Sequence, residues 1–314
     1  AFAIPMVQRL SQGRGKGLVL VPTRELAFQV DETLQKVGTP FGLRSAVVVG
    51  GASMGQQIQA LRRNARVIIA TPGRLIDHMD QRTVMLADVG VLVLDEADRM
   101  LDMGFLPQIQ RILRFVPRER QTMLFSATMP EAIARIAASH MKLPVNVEIA
   151  PSGTLVEKVT QELFIVRREM KNVLLRKLLE QYRGSVLIFT RTKIGAHRTA
   201  RDVRAMGFNV TDVHSDRTLA QRREALEGFK TGRYRVLIAT DIAARGIDVT
   251  GIELVVNYDL PEDAESYVHR IGRTARAGHK GHAISFATPD QAADVRSIER
   301  LIRTALPISE HPEV

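Results

Sequence analysis

Two periodicities alternate along the chain. Short aliphatic runs such as "GLVLVP", "ARVIIATP", "VGVLVLDE" and "QTMLFSAT" are apolar at nearly every position, the pattern of a strand covered on both faces. Between them, "RELAFQVDETLQKVG" and "GRLIDHMDQ" return an apolar residue every three or four positions, as an amphipathic helix does. "SAVVVGG" reads as a further buried strand, and "AFAIPMVQRL" has helical spacing with no start signal before it. Alternation of this kind predicts an α/β fold, a mostly parallel sheet with helices on both faces.

The alternation weakens across "LPVNVEIAPSGTLVEKV", where Pro144, Pro151 and Gly153 interrupt any helical period. It resumes with a helix over "KNVLLRKLLEQY" and strands over "SVLIFT", "RVLIAT", "ELVVNYD" and "HAISFAT". The expected organisation is therefore one α/β domain over 1–150, a linker over 151–160 and a second α/β domain over 161–314. At 314 residues and 45% hydrophobic content there is material for two cores. The likeness of "RVIIATPGR" to "RVLIATDIAARG" hints that the halves are built alike.

Charge narrows the partners. Lys and Arg number 44 against 34 Asp and Glu, a net charge of +10, which favours a polyanion. The absence of cysteine excludes disulfides, a thiol nucleophile and thiolate metal sites, and is compatible with a reducing compartment; a cytoplasmic location is expected. No apolar run approaches the length of a membrane span, so no membrane partner is expected.

Candidate chemistry gathers where strands end. "VLVLDEADRM" runs four apolar residues straight into Asp95, Glu96 and Asp98, and "VPTREL", "ATPGR", "FSAT", "IATDIAARG" and "YVHRIGRTAR" lie at or near other strand ends. Ligands of open α/β sheets bind outside the carboxyl ends of their strands. Each run has an ordinary reading by itself. Asp95 and Asp98 suit a helix N-cap, "TPGR" a helix start, "SAT" a turn, and His269 a packed or solvated position. Arg270, Arg273 and Arg276 recur every three residues, which on a helix gives one face of guanidinium groups.

In order along the chain stand "PTRELA" (Pro22 to Ala27), Gly50 and Gly51, "TPGR" (Thr71 to Arg74), "DEAD" (Asp95 to Asp98), "SAT" (Ser126 to Thr128), "ATDIAARGID" (Ala239 to Asp248) and "HRIGRTAR" (His269 to Arg276). Together they resemble the DEAD-box RNA helicases of helicase superfamily 2, over nearly the entire chain. Bacterial members with "RMLDMGF" after the carboxylates are especially similar. The resemblance implies two tandem RecA-like domains and RNA-stimulated hydrolysis of ATP with Mg²⁺, coupled to local unwinding of RNA duplex. It implies that Asp95 holds the metal through water and that Glu96 orients and deprotonates the attacking water. Arg273 and Arg276 would be fingers on the terminal phosphate, with Asp248 on the ribose and Gly246 in the same nucleotide loop. Asp98, Ser126, Thr128 and His269 would couple nucleotide state to domain position. Pro22, Thr23, Arg24, Gly51, Thr71, Gly73, Arg74, Thr192 and Thr240 match positions that contact RNA. With aromatic content of only 5%, backbone gripping rather than base reading follows.

The sequence departs from the family pattern in places. "HSDRTLAQR" has Ser215 where the family usually has Gly and Leu219 where it has Gln, while Arg222 is retained. No GxxxxGK[ST] phosphate loop occurs. The resemblance puts that loop and the adenine-reading glutamine motif upstream of Ala1, so an N-terminally incomplete chain is expected, without ATPase on its own and with a destabilised first half. The competing reading is an ATP-independent RNA-binding scaffold of helicase ancestry, with a DNA-strand motor more distant. Retention of Glu96, Arg273 and Arg276 favours the enzyme, since a scaffold has no use for transition-state groups.

Overall fold

The structure is a computed structural model that describes residues 1–13, 15–148, 159–244, 249, 251–275 and 281–310. The chain forms two compact units, Ala1–Val147 and Glu148–Val314.

The first unit is built on strands β1 (Lys16–Leu20), β2 (Ser45–Val48), β3 (Val67–Ala70), β4 (Val89–Leu94) and β5 (Gln121–Leu124), with helices α1 (Ala3–Gln12), α2 (Arg24–Gly38), α3 (Met54–Arg62), α4 (Pro72–Asp80), α5 (Ala97–Asp102), α6 (Leu106–Leu113) and α7 (Glu131–His140). The strands lie in the order β2-β3-β1-β4-β5 and every pairing is parallel. Because side chains alternate across a strand, Leu18, Leu20, Leu92 and Leu94 pack on one face with Leu75, Met100, Ile109 and Ile112 from α4, α5 and α6. Val19, Val91 and Val93 pack on the other with Met6, Leu10, Val30 and Leu34 from α1 and α2. Contact with α1 is close: a Cβ on Gly17 would sit 3.1 Å from the Met6 sulfur, so glycine is what lets this helix lie on β1.

The second unit repeats the design with β6 (Val159–Ile165), β7 (Val186–Phe189), β8 (Val210–Val213), β9 (Val236–Ala239), β10 (Leu254–Asn257) and β11 (Gly281–Ala287). Its helices are α8 (Lys171–Gln181), α9 (Lys193–Ala205), α10 (Leu219–Lys230), α11 (Asp241–Ala244), α12 (Ala264–Ile271) and α13 (Ala292–Ile302). The order is β6-β11-β10-β7-β9-β8, again all parallel. Leu187, Phe189, Leu237 and Val255 pack on one face, Val186, Ile188, Ile238 and Val256 on the other. The predicted α/β class with helices on both faces is the fold observed.

Two expectations need adjustment. β6 begins at Val159, so the last two positions of the 151–160 segment are strand; residues 149–158 lie outside the described residues. The guanidinium face predicted for "HRIGRTAR" does not form, because α12 ends at Ile271 with Gly272 as its C-cap and Arg273 lies beyond it. Among the described residues no helix is long and apolar enough to cross a membrane.

Candidate functional site

In the first unit the predicted residues collect at the carboxyl edge of the sheet. β1 ends into Pro22 and Thr23, β3 into Thr71, β4 into Asp95, and β5 is followed by Ser126 to Thr128. Neighbouring strands end in register there, with Leu20 beside both Ala70 and Leu94, and Leu94 beside Leu124.

Asp95 stands at the centre. Its backbone N–H donates to Leu20 O at 3.0 Å, and its Oδ1 accepts the Glu96 N–H at 3.1 Å. Burial first, and the neighbouring Glu96 charge second, push its carboxyl up to about 6. A carboxylate costly to charge alone is one that a divalent cation would relieve, so the site fits a Mg²⁺ held through water.

Glu96 occupies the left-handed region, φ 50° and ψ 54°, as the N-cap of α5 without a side-chain capping bond. For a residue with a Cβ that conformation costs about 1–2 kcal/mol, and such strain gathers at working sites. Its Oε2 accepts from Arg99 Nη1 at 2.8 Å, and the Arg99 side chain is only 6% exposed. The N-cap position of α5 is thus held by Glu96 and not by Asp95 or Asp98, the two residues the sequence offered for it.

Asp98 is buried and is the hub of the group. Its Oδ2 accepts from the backbone N–H of Ala127 at 3.0 Å and of Thr128 at 2.8 Å, and from the Thr128 hydroxyl at 3.0 Å. Its own N–H donates to Ser126 Oγ at 3.0 Å. The acidic run and the "SAT" run, remote in sequence, are thus one hydrogen-bonded unit rather than a cap and a turn.

A second grouping surrounds the loop after β2. Gly51 has φ +73°, a conformation that favours glycine, and the Arg24 guanidinium lies over the position a Cβ would take. Arg74 Nη1 donates to Ala52 O at 3.3 Å, and Arg74 also pairs with Asp77 at 3.4 Å. Thr23 caps α2 by accepting the Leu26 N–H, Thr71 is the N-cap of α4 without a side-chain bond, and Gly73 lies in that helix's first turn beside open space. Pro22, Thr23, Arg24, Gly51, Thr71, Gly73 and Arg74 therefore line the loops at one sheet edge.

The family description "DEAD/DEAH box helicase" matches residues 1–136, and "Helicase conserved C-terminal domain" matches residues 170–278. The chain is similar to S. cerevisiae Dbp5, solved bound to RNA and ADP BeF3, at 32% identity and a TM-score of 0.87 over 98% of this chain and 81% of that one. The chain belongs to the DEAD/DEAH box helicase family. Its likeness extends to the ATP-dependent rRNA helicase RRP3 of Debaryomyces hansenii, 42% identical over 99% of this chain and 66% of that protein. CshA of Bacillus subtilis, a DEAD-box ATP-dependent RNA helicase, is 42% identical over 99% of this chain and 64% of its own length. The chain thus spans about two thirds of the length of these relatives.

In the second unit of this helicase-family chain, Thr192 is the exposed N-cap of α9, accepting the Gly195 N–H at 3.0 Å, and Thr240 follows β9. His269 is half-buried on α12 and Arg273 is buried just after it. Gly246, Asp248 and Arg276 lie outside the described residues. Arg270, expected from its spacing to share one helix face with Arg273 and Arg276, is 1% exposed. It grips Asp241 with two bonds, Nε to Oδ1 at 2.6 Å and Nη2 to Oδ2 at 2.7 Å, and donates from Nη1 to Asn257 Oδ1 and Asp259 O. Sequence reasoning missed this network and the Arg99–Glu96 pair. The signals available were Asp241 directly after the "IAT" strand end and, for Arg99 and Glu96, opposite charges three residues apart at a helix start.

Proposed function

We propose that the protein is an ATP-dependent RNA helicase, in which RNA-stimulated hydrolysis of ATP is coupled to local unwinding. The single observation that carries this reading is the assembly of Asp95, Glu96 and the Asp98–Ser126–Thr128 hydrogen-bond hub at one sheet edge, in a chain of this family. Asp95 holds the Mg²⁺ of bound ATP through water. The metal, when present, supplies charge neutralisation across the phosphates. Glu96, fixed in its left-handed conformation and steadied by Arg99, orients a water and takes its proton. Arg273 and Arg276 are the fingers that stabilise charge on the transferred phosphoryl group, and Asp248 with Gly246 contacts the nucleoside. Asp98, Ser126, Thr128 and His269 report nucleotide state between domains. RNA is gripped along its backbone by Pro22, Thr23, Arg24, Gly51, Thr71, Gly73 and Arg74 in one unit and Thr192 and Thr240 in the other, so base sequence matters little and the 2′-OH matters more.

Glu96→Gln in the full-length protein tests the assignment. It should keep ATP and RNA binding while turnover falls by about 10²-fold or more, the scale of losing a general base. Wild-type turnover in that variant would remove Glu96 from the reaction. RNA binding without any ATPase in the wild-type protein would favour the ATP-independent scaffold.

A further inference from the structure

The second unit carries a cluster of metal-ligating side chains that the helicase reading does not use. Asp212 is on β8, the edge strand of its sheet, His214 follows that strand directly, and His197 projects from α9. One donor atom from each residue lies within 4.8 Å of the others. Asp212 Oδ2 is 3.1 Å from His214 Nε2 and 3.4 Å from His197 Nδ1. The Asp212 side chain is 1% exposed and His214 9%, whereas His197 is 69% exposed.

These spacings suit a small cation. Zinc binds His nitrogen and carboxylate oxygen at about 2.0–2.1 Å, and at that radius a tetrahedron separates neighbouring donor atoms by roughly 3.3 Å. Two of the three edges already have that length. His214 turns its Nε2 toward Asp212 Oδ2, so that nitrogen is the one it offers to a cation shared with the carboxylate. The other carboxylate oxygen, Asp212 Oδ1, accepts from Arg217 Nη2, the outer contact that fixes a ligating carboxylate in place. That pair and the burial oppose each other at Asp212. Burial is the largest single influence and raises its pKa, yet the Arg217 contacts and the histidines together hold it below the usual carboxylate value.

Electrostatics do not forbid a cation here, although the neighbourhood is basic. Lys193 is matched by Asp216 at 3.0 Å and Arg201 by Asp202 at 3.3 Å. An open cavity lined by Lys193, His197, Arg198 and His214 gives a path from solvent. Two imidazoles with a single carboxylate favour a borderline metal over Mg²⁺ or Ca²⁺, which prefer all-oxygen shells.

We propose that His197, Asp212 and His214 form a site for a divalent metal of the zinc class, with its fourth position open to the cavity. The site ties α9 to the edge strand β8 and to the start of the "HSDRT" loop. Its role is to fix that corner of the second unit, separately from the Mg²⁺ that accompanies nucleotide.

The test uses the whole chain freed of metal by a chelator and titrated with Co²⁺, then Zn²⁺. We expect one saturable equivalent, a visible cobalt absorption of four-coordinate type that zinc abolishes, and a higher melting temperature with zinc. His197→Ala removes an exposed ligand without disturbing the core, and should weaken zinc at least about 10-fold, the lower bound for losing even an outer-shell partner. His214→Gln should do the same, while His140→Ala, in the other unit, should leave the binding unchanged. Zinc affinity in His197→Ala and His214→Gln equal to wild type would overturn the proposal, as would the absence of a saturable equivalent. Should His214→Gln fail to fold, His197→Ala decides alone.

Discussion

Asp95 shows how one residue can serve a site at the expense of stability. Its carboxyl is raised from 3.8 to about 6, mainly by burial. A group whose folded value exceeds its unfolded value contributes stability below the unfolded value and loses it as pH rises through the folded one. The window is therefore about pH 4 to 6. Asp95→Asn, which cannot charge, should be more stable than wild type at pH 7 by on the order of 3 kcal/mol, with the advantage gone below pH 4. Urea unfolding of the first unit at both pH values checks this; an advantage that persists at pH 3.5 would show that burial is not the cause. Arg270 is the opposite case, a charge that the fold requires. Arg270→Met should cost about 3–5 kcal/mol in the second unit, because it removes the buried partner of the Asp241 carboxylate and the donor to the buried Asn257 Oδ1. Chemical denaturation of the second unit gives that number directly.

At the scale of elements, helix ends decide where chemistry sits. Thr218 opens α10 with a reciprocal capping box, its hydroxyl accepting the Gln221 N–H while Gln221 Oε1 accepts the Thr218 N–H. Thr218→Ala should lower the stability of the second unit by about 1 kcal/mol, measured as a shifted denaturation midpoint at constant slope. Leu219, the departure from the family pattern, is then the first helical residue behind that cap. Elements were legible in proportion to how local their causes are. The strands over "GLVLVP" and "VGVLVLDE" stood out because burial on both faces leaves an unbroken apolar run, and "RELAFQVDETLQKVG" because one face of α2 is apolar. The end of α12 was misread since spacing alone continued past Gly272, a residue that commonly stops a helix.

For the whole molecule, each unit has cores of its own, and none of the four clusters draws residues from both units. Residues 148–314 expressed alone should show cooperative thermal unfolding by circular dichroism, and a melt without cooperativity would contradict this. What the sequence by itself determined was the α/β class, the division into two halves, the family and the set of residues placed at strand ends. Those follow from periodicity and from ordered motifs, which are properties of neighbours along the chain. Only the tertiary structure decided that Glu96 takes a left-handed conformation beside a buried Arg99, that Arg270 turns inward to Asp241, and that His197 meets Asp212. Each of these depends on which strands lie side by side and on which helix covers them, and the free energy that fixes strand order comes from packing summed over the sheet, which no local pattern encodes.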